Sequence, residues 1–127
     1  MNWEVEFREV YNFVKVATSG KFTLEDHLSM IEDIVSRGFW KPGMDVFFDN
    51  RELHFVNTDI ETMRRASANH QQNNKRIGDG KTAILMKSLP DFGRGRQFEL
   101  LSSGKISAKL KIFLEEENAV EWLCEKA

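Results

Sequence analysis

Asp45-Val46-Phe47-Phe48-Asp49, the stretch from Asn57 to Gly78, and Thr82-Ala83-Ile84-Leu85-Met86 decide the fold. Three adjacent apolar residues between two aspartates predict a strand buried on both faces, as parallel strands are. The middle stretch reads as a helix. Asn57 or Thr58 caps it, and Asp59 and Glu61 suit its positive end. Ile60, Met63, Ala66 and His70 recur at helical spacing as a narrow stripe of small residues. Lys75 and Arg76 suit the negative end, and Gly78 closes it. The third stretch is a second buried strand. Two such strands joined by a helix pair in parallel through a right-handed crossover.

Upstream, Trp3, Val5 and Phe7 alternate with Glu4, Glu6 and Arg8, the pattern of a half-buried strand. Residues 11–17 read as its hairpin partner, and Thr18-Ser19-Gly20-Lys21 as a turn. Thr23 caps a helix with Asp26 three residues on. Leu24, Leu28, Ile31, Ile34 and Val35 form its apolar face, Gly38 closes it in a left-handed conformation, and Pro42-Gly43 is a loop. Residues 50–57 are read as a loop with room for a short turn of extended chain. Downstream, Pro90 to Gly95 reads as a loop and Arg96 to Ser103 as a short helix. Leu110 to Leu114 is the last strand, and residues 116–126 are an amphipathic helix. The expectation is one α/β domain over residues 1–127, ordered ββαβαβαβα. Its mixed sheet has an antiparallel edge followed by sequential parallel βα units.

Composition agrees with a single globular domain: 127 residues, 41% hydrophobic and 30% charged, with ten Phe and three Trp. No apolar run reaches membrane-span length, and the start has neither the basic nor the apolar part of a signal peptide. Cys124 is the one cysteine, read as a buried inert thiol. A reducing, bacterial-type cytoplasm is the expected location. Net charge is −2, but residues 64–114 hold 11 Lys/Arg against 3 Asp/Glu and the flanks are acidic. The expectation is that the acidic ends fold against this basic stretch and compensate it.

Familiar motifs are absent or misplaced. Gly80-Lys81-Thr82 precedes a strand, and Lys75 stands where a phosphate-binding loop needs its first glycine. Asp91-Phe92-Gly93 lacks every other kinase element. His27, His54 and His70 have no metal-ligand spacing and read as structural or solvated. Aromatic residues do not interleave with basic ones as in a nucleic-acid-stacking sheet. No cofactor, metal, nucleic acid or enzymatic activity is expected.

One place stands out. Every βα connection of such a sheet leaves from the same edge. That edge gathers Asp49, Asn57, Thr58 and Asp59 with Ser88, Arg94 and Arg96, the two arginines being read at the start of the helix after Ser88. Helix N-termini offer free amides, and arginines add bidentate donors for an anion.

Trp40 with Pro42-Gly43, the strand ending at Asp49, Asn57-Thr58-Asp59-Ile60, Thr82-Ala83-Ile84-Leu85, Phe92-Gly93 with Arg96-Gln97-Phe98-Glu99, and Phe113 with Ala119-Val120-Glu121-Trp122-Leu123 resemble the bacterial STAS-like family. This group includes the sporulation anti-sigma-factor antagonists and, by fold, is kin to CRAL-TRIO lipid carriers. The resemblance spans residues 39–123 and implies a βα superhelix. It also implies a regulatory or protein-binding module acting through the loop and helix that begin at Asn57-Thr58-Asp59. Thr58 falls near the antagonists' phospho-acceptor serine. Asn57-Thr58-Asp59-Ile60 replaces their Asp-Ser-Ser-Gly, however, and Asp59 already supplies negative charge, so partner binding without phosphorylation is an equal expectation. The alternative is a small-molecule or lipid-binding domain with an apolar cavity and an anion site near Arg94 and Arg96. Self-association as a homodimer, through an open sheet edge or the last helix, is a further expectation.

Overall fold

The computed structural model describes residues 1–56 and 58–125. Its strands are β1 (Asn2–Arg8), β2 (Phe13–Lys21), β3 (Asp45–His54), β4 (Lys81–Leu85) and β5 (Lys109–Phe113). Its helices are α1 (Leu24–Val35), α2 (Ile60–Gln72), α3 (Asn74–Ile77), α4 (Leu89–Ser102) and α5 (Glu116–Cys124). The sheet runs β1-β2-β3-β4-β5, so spatial order equals chain order. β1 is antiparallel to β2, and every later pair is parallel. This is the expected fold class with one refinement: the second helix breaks at Asn73 and adds the single turn of α3.

Alternation along each strand sorts side chains to two faces. Phe13, Phe47, Ala83, Leu85 and Phe113 point to one, where Ala119 and Leu123 of α5 cover them. Val14, Val16, Val46, Ile84 and Ile112 point to the other, under α1, α2 and α4. Trp3, Val5 and Phe7 of β1 pack on that second face, leaving Glu4 and Glu6 exposed on the first. Lys109 and Lys111 are exposed on β5 at the opposite end of the sheet.

Several boundaries differ from expectation, each for a local reason. Thr18 to Lys21 is strand, not turn. β3 likewise continues past Asp49 to His54, and the two extensions pair with each other as Ser19↔Glu52, Gly20↔Leu53 and Lys21↔His54. The polar residues of Asn50 to His54 hid that strand, which is held by backbone pairing and by buried Leu53 and Phe55. α4 begins at Leu89, not Arg96. Pro90 sits in its first turn, where a missing N–H costs nothing, and the Ser88 side chain accepts from the Asp91 amide. Gly95 is buried inside α4 because a Cβ there would lie 3.0 Å from Ile112, so its lack of side chain brings the helix onto β5. Gly38 does not adopt a left-handed conformation; α1 ends at Ser36. The inward ridge of α1 centres on Met30 and Ile34. Cys124 is exposed in the last turn of α5, with Leu123 taking the inward position that the sequence reading gave to the thiol.

The basic stretch is met by the acidic N-terminal part across elements at Arg76. Arg76 reaches Glu32 of α1 through both guanidinium nitrogens, at 2.7 and 3.0 Å. Lys81 caps the carbonyls of Trp122 and Glu125 at the end of α5. Among the described residues no helix is long and apolar enough to cross a membrane.

Candidate functional site at the carboxyl edge and the apolar cavity

The structure separates the residues that the sequence reading grouped. Asn57 lies outside the described residues. Asp49 sits within β3, half-buried, and is gripped by Arg51 at 2.9 and 2.8 Å; Arg51 also reaches Glu116 at 2.9 Å. The paired guanidinium holds the Asp49 carboxyl below the usual carboxylate range. Arg51 therefore ties β3 to the start of α5, and the Asp49 carboxylate is occupied by that guanidinium.

The cap of α2 is Asp59, not Thr58 or Asn57. Its carboxylate accepts from the Thr62 amide at 2.9 Å and from the Thr62 hydroxyl at 2.8 Å. These hydrogen bonds depress its pKa, the backbone one most. Carboxylate outranks the neighbouring hydroxyl because it adds charge to a helix start that favours negative charge. Thr58 precedes the cap and is half-buried. Ser88 caps α4 as described. Arg94 and Arg96 lie a turn or more inside α4, bound to Asp91 (3.0 Å) and to Glu99 of their own helix. Of the seven residues grouped from sequence, Asp59 and Ser88 mark adjacent helix starts beyond neighbouring strands, with Thr58 beside the first.

That edge carries exposed apolar side chains instead of a cluster of cations. Val56 is 56% exposed before α2, Ile60 51% at its first residue, and Leu89 73% at the first residue of α4. Leu114, just past β5, is 37% exposed. All four follow the carboxyl ends of adjacent parallel strands.

The second feature is a cavity of about 100 Å³ between the sheet and α1, α2 and α4. Met30, Ile34, Phe48, Met63, Ala66 and Ile84 are among its walls. His27 and His70 also line it, and His70 Nε2 is buried with no hydrogen-bond partner among the described residues. Burial pushes the His70 pKa down to about 4; burial and then the nearby His70 do the same to His27. Both rings are therefore neutral at pH 7. Protein surrounds His27 closely, yet part of its surface stays accessible because it faces the cavity. Behind His70, the Ser67 and Ser102 hydroxyls share a buried 2.7 Å hydrogen bond joining α2 to α4.

The sequence reads the histidines as structural or solvated, and no motif in it brings His27 and His70 to one cavity. The signal present was the stripe on α2: residues as small as Ala66, facing Phe-rich strands, leave volume unfilled.

The fold is SpoIIAA-like: it is similar to a crystal structure with that fold, at a TM-score of 0.60 over 97% of this chain and 93% of that one. That structure is an uncharacterised protein of the DUF3478 family from Shewanella loihica, 17% identical in sequence. The likeness bears out the fold that the resemblance implied. No protein-family model matches the chain, and no curated protein does.

Proposed function

We propose that this chain is a non-catalytic, STAS-type regulatory module that binds a protein partner at the carboxyl edge of its sheet. The contact surface is the loop and helix beginning at Thr58 and Asp59 together with the start of α4. The observation that carries this reading is the exposure of Val56, Ile60 and Leu89 at one edge. These three follow the neighbouring strands β3 and β4, and exposed apolar groups gathered at one edge mark contact surfaces more often than scattered ones do. A phosphate on Thr58 would add charge beside Asp59 and this apolar surface, repelling a partner that reads it. The test is affinity capture with wild type and with the Ile60→Glu/Leu89→Glu double variant, followed by Kd measurement on the purified partner. The double variant and Thr58→Glu should each weaken binding, the former by tenfold or more on the order of a lost interface contact. Equal affinity for all three proteins would rule the surface out.

A second reading is favoured by the cavity: a domain that holds a small apolar ligand between the sheet and its three-helix layer. The anion site near Arg94 and Arg96 is not part of it, since both guanidinium groups are engaged by acids of α4.

A further inference from the structure

The cavity defines the chemistry of what it could hold, and the inference drawn here rests on that second reading. Its size sets the first limit. About 100 Å³ is well below the roughly 300–1,000 Å³ of pockets for drug-sized molecules, and somewhat below the ~150 Å³ apolar cavity known to take benzene. Long acyl chains are excluded, and a single ring is near the upper bound.

Charge sets the second limit. Among the described residues Arg94 is the one charged side chain on the lining, paired with Asp91 at 3.0 Å, and the Met1 ammonium there is paired with Asp26 at 3.2 Å. A charged guest would surrender its hydration without a counter-charge. The guest is therefore neutral.

The third limit comes from His70. It is 9% exposed, lines the cavity, and leaves Nε2 unpaired. In a neutral imidazole, Nε2 either donates or accepts, depending on the tautomer. A carbonyl guest satisfies one case and a neutral N–H donor without a free lone pair the other. A hydroxyl satisfies both, since it carries a donor and lone pairs. Aromatic neighbours are at hand: the Phe98 ring lies 6.3 Å from His70, and the Phe22 ring 5.6 Å from His27.

We propose that the cavity binds a small, uncharged, monocyclic hydroxyl compound of the phenol class, its ring against the apolar walls and its hydroxyl hydrogen-bonded to His70 Nε2. The test uses phenol and benzene as probes on the full chain. Calorimetric titration of wild type should show both binding. His70→Leu should weaken phenol about five- to tenfold, the equivalent of one hydrogen bond, and leave benzene unchanged or tighter. Ala66→Leu, which fills the cavity, should abolish both. In wild type, the His70 ring nitrogen resonances should move with phenol and not with benzene, a readout that needs no variant to fold. Benzene binding together with phenol binding indifferent to His70 would overturn the hydroxyl assignment and leave the cavity reading standing. Failure of both probes to bind wild type up to their solubility limits would overturn both.

Discussion

On the face of the sheet under α5, Phe13, Phe47, Leu85 and Phe113 meet Ala119 and Leu123 in a filled core. On the other face the same strands send Val46, Phe48 and Ile84 towards three helices that do not close on them, and about 100 Å³ is left. Up to the register shift of β2 against β3 after Ala17 the strands supply apolar residues to both faces, so the difference lies in what the helices offer. α5 brings Trp122 and Leu123 onto the sheet. α2 brings Ala66, Ser67 and His70, which are small or polar. A sheet can thus have one face that is packed and one that leaves a cavity.

Four experiments can break or sharpen that contrast. The largest effect is expected from Phe47→Ala on the filled face, where Phe47 is 2% exposed; it should cost about 3–5 kcal/mol in urea unfolding. A loss under about 1 kcal/mol would mean the face is not close-packed.

Next comes acid. His70 titrates near 4 when folded and near 6.5 when unfolded, so below 6.5 the unfolded chain binds more protons. Stability should be full above about pH 6.5 and decline as pH falls towards 4, by on the order of 3 kcal/mol for this residue. The slope over that window should flatten in His70→Phe. An unchanged slope would place the ring in water.

The third experiment compares two enlargements. Ala83→Leu on the filled face should cost about 1–3 kcal/mol, whereas Ala66→Leu on the cavity wall should change stability by less than about 1 kcal/mol, in either direction. Equal costs would erase the distinction between the faces. The smallest effect is at the edge: Asp59→Ala should cost about 1 kcal/mol as a lost cap, and Thr58→Ala a few tenths. A larger loss at Thr58 would return the cap to it.

Much of the architecture was legible in the sequence. The apolar runs at Val46–Phe48 and Ala83–Met86 identified central parallel strands, and the alternation at Trp3–Phe7 identified an edge strand. What escaped was set by partners distant in sequence. Asn50 to His54 is strand because β2 pairs with it, and no pattern within those five residues says so. Gly93 and Gly95 read as loop, yet Gly95 serves the contact of α4 with Ile112. The site was legible only as a location. Asp59 and Ser88 do open helices at the carboxyl edge, whereas Arg94 and Arg96 are paired within their helix. The cavity is an absence of volume, and sequence reports volume only indirectly, through residues such as Ala66.

The two edges of the sheet differ in sign: β1 exposes Glu4 and Glu6, and β5 exposes Lys109 and Lys111. Symmetry then constrains how copies could join by extending the sheet. A two-fold pairing sets β1 against β1, or β5 against β5, and aligns like charges across the new ladder. Joining β1 of one copy to β5 of the next is attractive, but that arrangement leaves both outer edges free to add again and does not close. Like charges on these exposed strands thus make symmetric pairing at either sheet edge less favourable than pairing through another surface.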